Sequence, residues 1–202
     1  MRRALVVVVA LAIAGCGSSS GSSKSSTTAG RTSLGPTFDD IGTLPGAQKS
    51  APPWDSGAKK LQQRLKAIGL QPLPVEGTVV HIHQHLDVYV DGKHVTVPAL
   101  IGIGPGGSFF SPLHTHDPTG IMHVESPTQS EFTLGQFFAV WGVPLSANGI
   151  GNRKGHVRVW VNGKPLSADP TRIVLTPRQE IVVALGTAPK KVPSTYSFPQ
   201  GL

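Results

Sequence analysis

The sequence predicts an α+β, β-rich domain that is built from antiparallel hairpins, with one amino-terminal helix and one short buried helix. Glycine and proline supply 42 of the 202 residues (24 plus 18), which is typical of a chain with many turns. Only 14% of the residues are charged and 6% are aromatic, which disfavours a coiled coil and a highly charged disordered chain. Two dipeptides that favour tight hairpins, Asp91-Gly92 and Asn162-Gly163, each lie beside alternating apolar residues.

The amino terminus has the pattern of an export signal. Arg2 and Arg3 precede an apolar run over residues 4–14, which is too short to span a bilayer. The run ends in Ile-Ala-Gly-Cys over residues 13–16, which resembles the bacterial lipobox, whose cysteine becomes the lipidated first residue of the mature protein. The sequence therefore predicts a signal peptide over residues 1–15 and an extracytoplasmic, lipid-anchored protein. The alternative is an ordinary signal peptide with an incidental cysteine.

Residues 16–50 are predicted to be the lipidated cysteine followed by a tether. The segment is rich in serine and glycine, and such a composition cannot bury enough apolar surface to offset the entropy lost on ordering. The single cysteine, Cys16, excludes an internal disulfide and a zinc site made of thiolates. Residues 51–202 remain, and they are long enough for a single histidine-rich domain with its own core.

A helix is predicted over residues 54–70 at the start of this domain. Ala58, Leu61 and Leu65 recur there at helical spacing, as the buried side of a surface helix requires. The basic residues of the segment, Arg64 among them, are expected to lie on the solvated side.

A long strand and a hairpin follow. Residues 78–90 alternate between a face that is apolar except for Gln84 and a face that carries a row of three histidines. With Asp91-Gly92 as a two-residue turn, Tyr89 pairs with His94, and the apolar residues of both strands share one face. This register leaves His94 on the surface.

The second half of the domain is predicted to hold the buried helix and more strands. Residues 102–107 match the pattern GxGxxG, but Pro105 interrupts it and no helix follows, so we expect a glycine loop and no nucleotide site. Thr133 and Gln136 form a capping box that opens a helix ending near Trp141. Further strands are expected at residues 157–161, 173–175 and 180–185.

The element order from Ile121 onward is similar to that of β-grasp domains, which places this likeness in the carboxy-terminal half. The proline-containing tail, residues 190–202, is expected to lie extended over the domain.

Six of the eight histidines fall in two clusters, and the first cluster follows a period of two. Residues i and i+2 of a strand point the same way about 6.5–7 Å apart, so two imidazoles can meet at one ion. His81 and His85 are about 13 Å apart on this spacing, so the three histidines including His83 are not expected to bind one ion together. Either one of the outer histidines, His81 or His85, contacts a ligand without binding the ion itself, or two ions are bound.

The second cluster combines histidines with acidic residues. His114 and His116 again share a face, and the turn after Asp117 returns the chain so that His123 and Glu125 share a face of the next strand. Asp117 and Glu125 could orient a histidine, and Glu125 could also be a ligand or a base. The predicted metal ligands are His81, His83, His85, His114, His116, His123 and Glu125.

Imidazole and carboxylate donors suit zinc, copper(II), nickel or iron, and zinc or copper is the predicted cofactor. The only methionine of the mature chain, Met122, is expected to point away from His123, which disfavours a copper(I) carrier with methionine ligands. The leading hypothesis is a metal-binding lipoprotein that acts as a sensor, buffer or carrier. The alternatives are a metal-dependent oxidoreductase or hydrolase, and an interaction module of β-grasp type that binds no metal.

Membrane lipid, held through acylated Cys16, and a metal ion are the partners that the sequence predicts, and it identifies no protein partner. The formal net charge is +7, but the cationic residues are scattered. Because neither a basic helix nor an aromatic RNA-binding signature is present, we expect no nucleic acid partner.

Three sequence motifs resemble those of a known protein family. Residues 81–86 (His-Ile-His-Gln-His-Leu), residues 114–127 (His-Thr-His-Asp to Gly-Ile-Met-His-Val-Glu-Ser-Pro) and residues 132–142 resemble an uncharacterised family of extracytoplasmic prokaryotic lipoproteins and secreted proteins. The resemblance covers residues 54–202. It implies a shared domain and no particular reaction.

Overall fold

A computed structural model describes residues 41–202, and the predicted signal peptide, Cys16 and most of the predicted tether lie outside them. The described part is a strand-rich α+β domain with antiparallel hairpins, which confirms the predicted fold class. Within it, no helix is long and apolar enough to cross a bilayer. Residues 41–50, assigned to the tether from the sequence, contact the domain: Ile41 is buried in the core, and the Gln48 amide donates to Trp141 O.

Two helices and ten strands form the described domain, and three 3-10 turns connect some of them. The helices are α1 (Leu61–Ala67) and α2 (Leu134–Trp141). The 3-10 turns are Ile41–Thr43, Pro105–Gly107 and Pro170–Arg172. The strands are β1 (Val80–Val90), β2 (Lys93–Val95), β3 (Leu113–His114), β4 (Ile121–Ser126), β5 (Leu145–Ser146), β6 (Gly149–Ile150), β7 (Arg153–Lys154), β8 (Val157–Val161), β9 (Lys164–Leu166) and β10 (Glu180–Leu185).

The main sheet has the order β3-β4-β1-β10-β8-β9, and β2 pairs with the end of β1. Strand β1 is central: it is antiparallel to β4 and parallel to β10. The path β4-β1-β10-β8-β9, with α2 following β4 in the chain, is similar to that of β-grasp domains. It takes β1 as its first strand, so the likeness extends beyond the carboxy-terminal half.

The core lies against one face of this sheet. Leu86 is opposite Ile181 and Val88 is opposite Val183 in the β1–β10 register, and all four side chains are buried. Every residue of α2 is also buried, and its aromatic side chains join the same apolar cluster. The opposite alternation of β1 therefore places its histidines on the other face of the sheet, which we call the histidine face.

Both hairpin turns and the capping box are confirmed. Asp91 and Gly92 have φ values of 51° and 79°, and Asn162 and Gly163 have φ values of 51° and 75°. These are the left-handed conformations that a two-residue type I′ turn requires. The register pairs Tyr89 with His94 as predicted. In the capping box, Thr133 Oγ1 accepts from the Gln136 backbone N–H, and the Gln136 side chain accepts from the Thr133 backbone N–H.

Three expectations for individual elements are wrong. The first helix begins at Leu61, because Lys60 adopts a left-handed conformation with φ of 56°, which interrupts helical propagation. Residues 173–175 form only a bridge between Val174 and Thr133. Arg64 is fully buried, although the helical pattern placed it on the solvated side. The small sheet β5-β6-β7 was not predicted, since strands of two residues carry no periodicity.

Arg64 is buried because its guanidinium is saturated by backbone carbonyls. Its donors bond the oxygens of Val140 (3.1 and 2.8 Å), Pro45 (2.9 Å) and Lys59 (3.0 Å), and also Gly57 O. Burial lowers the pKa of Arg64 to about 10, with Asp55 acting in the opposite sense. The residue therefore joins α1, the segment before it and the end of α2.

Candidate metal centre

Three neighbouring strands bring histidines side by side on the histidine face. In the register of β3, β4 and β1, His123 lies opposite His114 on one side and His83 on the other. Two residues further along β4, Glu125 lies opposite His81. Directly opposed residues have Cβ atoms about 5 Å apart, which is short enough for their imidazoles to share a ligand.

The carboxylate of Glu125 is the centre of this group. Its Oε1 atom lies 2.9 Å from His123 Nδ1, 3.3 Å from His81 Nε2, 3.9 Å from His114 Nε2 and 4.0 Å from His83 Nε2. We call these five residues with His116 the Glu125 cluster.

Glu125 is a buried carboxylate whose ionised form is favoured by its neighbours. Its side chain is 3% exposed, and burial alone would raise its pKa. The hydrogen bond from His123 and the nearby imidazoles of His114 and His81 outweigh burial, so the pKa of Glu125 is lowered. A buried negative charge surrounded by imidazoles is a suitable environment for a cation.

The tautomer of His114 is fixed by the backbone. Its Nδ1 lies 3.0 Å from Ser111 O, and because a carbonyl only accepts, Nδ1 carries the proton. Burial, the largest influence, lowers the pKa of His114 to about 4, so the ring is neutral near pH 7. Its Nε2 then presents a lone pair toward the cluster. A histidine that donates its other N–H to a backbone carbonyl is the usual arrangement for a metal ligand.

Three donor atoms form a triangle beside this lone pair. His114 Nε2 and His116 Nε2 are 3.2 Å apart, and Glu76 Oε1 lies 3.1 Å from His116 Nε2 and 3.5 Å from His114 Nε2. Zinc binds such atoms at about 2.0–2.2 Å in a tetrahedron, whose edges are then about 3.3–3.6 Å. The triangle therefore has nearly the size of one tetrahedral face around a zinc-sized ion.

His83 has a ring nitrogen without a partner. Its side chain is 8% exposed, and Nε2 forms no hydrogen bond within the described part of the chain. Burial and then the neighbouring imidazoles of His123 and His81 lower the pKa of His83 to about 4. Buried polar atoms of native proteins nearly always have a partner, so a buried ring nitrogen without one is a candidate metal ligand.

His85 lies in a different environment. Its Nδ1 is 2.9 Å from Glu180 Oε2 and its Nε2 is 2.8 Å from Thr119 O, so both nitrogens have partners. The ring also stacks on Tyr196 with centroids 3.8 Å apart. Burial acts to lower the pKa of His85, but Glu180 and Thr119 outweigh it and the pKa is raised. We call these four residues the His85 corner.

The seven predicted ligands do not meet at one point, and the structure divides them among three groups of neighbouring donor atoms. Two groups share Glu125, and a third group joins His85 to Asp87 and Glu180; within each group the donor atoms lie within 4.8 Å of one another. Asp117, a candidate for orienting a histidine, accepts from Thr119 in the turn before β4. The groups that share Glu125 are His114, His116, His123 and Glu125, and His81, His83 and Glu125.

Glu76 was not predicted as a site residue. It lies four positions before β1, in a segment without periodicity, and its carboxylate reaches His114 and His116 through the fold. The only signal in the sequence was an acidic residue close to the first histidine cluster.

A cavity of about 470 Å³ opens beside the cluster. Glu76 and His116 lie on its wall, and Leu100, Ile103 and Phe110 supply apolar surface. Glu76 and His116 are 39% and 43% exposed, so the donor triangle is reachable from solvent on this side.

The fold and the site define a strand-rich α+β protein whose buried histidine and glutamate clusters could hold a metal ion. No family model, curated protein or solved structure matches the chain.

Proposed function

We propose that the protein is an extracytoplasmic, lipid-anchored protein that binds zinc or copper through His114, His116 and Glu76, with His123 as a further ligand. The observation that carries this proposal is the donor triangle, in which His114 Nε2, His116 Nε2 and Glu76 Oε1 lie 3.1–3.5 Å apart. The Nε2 lone pair of His114 and the Glu76 carboxylate both attract a cation, and neutral His116 can add its Nε2 as a third donor.

The contacts behind the ligands support the same conclusion. Ser111 O fixes the ring of His114, and Glu125 Oε1 accepts from His123 Nδ1 at 2.9 Å. A carboxylate that orients a histidine in this way also raises the basicity of its second nitrogen. Glu125 thus holds His123 in position and supplies negative charge to the site.

The donor set favours zinc or copper. All donors in the Glu125 cluster are nitrogen or oxygen, and Met122 is fully buried on the core face of β4, away from His123. Copper(II) has the highest intrinsic affinity for such a site, whereas the tetrahedral edge lengths suit zinc. The resemblance to extracytoplasmic lipoproteins supports only the location outside the cytoplasm, where the proposed role is that of a metal sensor, buffer or carrier.

An enzyme is the second candidate, and the cavity favours it. Glu76 and His116 lie on the cavity wall, so an ion bound there would keep a face open to a small molecule. A metal ion with an open position can activate water or polarise a substrate. A metal-dependent hydrolase or oxidoreductase would use this opening, whereas a storage site would close it.

Metal analysis of the full chain, purified without a histidine tag, tests the proposal. We expect near-stoichiometric zinc or copper, and micromolar or tighter affinity after the metal is removed and added back. The His114→Ala chain should lose the metal, while His156→Ala, a change at an exposed histidine, should keep it. A folded chain that binds neither metal would contradict the proposal and favour the interaction module of β-grasp type.

The anchor requires a separate test. Mass spectrometry of the mature protein should show an acylated Cys16 at its amino terminus, and Cys16→Ala should carry no lipid and keep the same metal content. A native chain without a lipid on Cys16 would contradict the anchor.

A further inference from the structure

We infer that the protein binds two metal ions, and that Glu125, which orients His123 at the first ion, is a ligand of the second. The first position is the one proposed above, and this inference rests on that proposal. The second position is formed by His81, His83 and the same Glu125 carboxylate.

The unpartnered nitrogen of His83 is the main observation. Its Nε2 is buried, lies 4.0 Å from Glu125 Oε1 and forms no hydrogen bond with any residue of the described range 41–202. His83 does not belong to the donor group of His114, His116 and His123, so the first ion leaves this nitrogen unused. A second ion beside Glu125 gives it a partner.

His81 completes the second position. It lies two residues before His83 on the same face of β1, and its Nε2 is 3.3 Å from Glu125 Oε1. The rings of His81 and His83 are 4.9 Å apart and meet edge to face. Two imidazoles and one carboxylate oxygen therefore converge, and the 51% exposure of His81 leaves a path from solvent for the ion.

A single ion cannot use all of these donors, whereas two ions can divide them. A carboxylate has two oxygens with about four lone-pair directions, so Glu125 can bind the second ion while it accepts from His123, a ligand of the first. In two-metal sites the ions lie about 3.5–4 Å apart, somewhat less than the spacing of about 4.8 Å between paired strands, so ions held by side chains of neighbouring strands can reach this separation.

The second position is expected to be the weaker one. Glu76 contributes negative charge next to His116 and His114, on the side of the first position. Arg178 instead places positive charge near His83, where it disfavours a cation. The exposure of His81 also admits water, which weakens the attraction between the Glu125 carboxylate and a cation.

Titration of the metal-free full chain with cobalt(II) tests the inference, because cobalt absorption reports each bound ion. We expect two equivalents per chain, with the second bound at least about tenfold more weakly. His81→Ala should bind one equivalent at unchanged affinity. Because His81 is half exposed, this substitution should leave the fold intact, which circular dichroism checks. His94→Ala, at an exposed histidine outside the cluster, should still bind two.

Copper(II) loading gives a second readout. Two copper ions about 4 Å apart should produce a coupled paramagnetic resonance signal, and His81→Ala should convert it to the signal of an isolated ion. One equivalent in the native chain, unchanged in His81→Ala, would overturn the second position and leave the proposed function standing. Absence of any bound metal would overturn both, so the two failures are distinguishable.

Discussion

His83 and His85 lie two residues apart on the same face of β1, yet they belong to opposite kinds of environment. His83 has a buried nitrogen without a partner in the described part of the chain, and its pKa is lowered to about 4. His85 has partners on both nitrogens, and its pKa is raised. The sequence pattern treats the two residues as equivalent.

The difference comes from the neighbouring strands. His83 lies opposite His123 of β4, so its ring contacts another imidazole and no carboxylate of that strand is directly opposite. His85 lies beside Glu180 of β10, whose carboxylate accepts from the ring. An alternating histidine pattern therefore identifies the face of a strand, and the residues opposite decide whether each ring is available to a metal.

The largest expected effect is the loss of zinc affinity when substitutions disrupt the Glu125 cluster. The double substitution His114→Ala and His116→Ala removes two of the donors that converge, and zinc sites with four ligands are stabilised by about 10–16 kcal/mol in total. We therefore expect affinity for zinc to fall at least about a thousandfold, measured by competition with a chelator. His85→Ala should change the affinity by less than about threefold. An equal loss in both variants would show that His85 is part of the site.

The next largest effect is the loss of stability when a substitution disrupts the His85 corner. His85→Ala leaves the Glu180 carboxylate, 1% exposed, as an unpaired buried charge. Removing one partner of a buried ion pair costs about 3–5 kcal/mol, so we expect the metal-free chain to melt about 6–20 °C lower. Replacing both residues, as His85→Leu with Glu180→Leu, should recover most of the loss. If the single variant melts like the native chain, the pair does not stabilise the fold.

Much of the fold follows from local signals in the sequence. The hairpin at Asp91-Gly92 and the capping box at Thr133 depend on residues within a few positions of each other, and both are confirmed. The convergence of His114 with His123 also followed from strand spacing and one turn.

What the sequence did not show depends on long-range pairing. The partner of His85 is Glu180, 95 positions away, on a strand that pairs in parallel with β1. Parallel pairing carries no turn signal that would fix its register. The place of Glu76 in the site and the burial of Arg64 were missed for the same reason. The contacts that explain them come from distant parts of the chain.

The dependence of stability on pH should separate the two environments. His83 and His114 have pKa values lowered to about 4 in the folded state, against 6.5 for a free histidine, so the unfolded chain binds more protons between these values. Stability of the metal-free protein should therefore fall as pH decreases from about 6.5 toward 4, by up to about 1.4 kcal/mol per pH unit for each ring. His85 has a raised pKa, so its contribution is complete below about pH 6.5 and is lost as pH rises through its folded pKa.

Urea unfolding at several pH values measures both trends. His83→Gln, which removes the titrating ring, should flatten the decrease at acid pH. His85→Gln should remove the decrease at higher pH and leave the acid limb unchanged. His156→Gln, at an exposed position, is the control. If His83→Gln leaves the acid limb as steep as in the native chain, His83 is not buried in its neutral form.

The smallest expected effect concerns the carboxy-terminal tail, which contacts the His85 corner. Tyr196 stacks on His85 and meets Phe198 edge to face with centroids 5.1 Å apart. Aromatic pairs of this kind contribute about 0.5–1.5 kcal/mol, so Tyr196→Ala should lower the melting temperature by about 1–6 °C. Tyr196→Phe keeps the ring and should melt like the native chain.

A double-mutant cycle decides whether this small effect acts through His85. If the stack holds the tail, Tyr196→Ala should cost almost nothing further in a chain that already carries His85→Ala. Metal affinity should be unchanged throughout, because Tyr196 contacts His85, which lies outside the Glu125 cluster. Equal losses in both backgrounds would mean that the tail is held independently of His85. The same cycle with His83→Ala supplies the matched comparison, since the ring of His83 contacts those of His81 and His123 and the two losses should simply add.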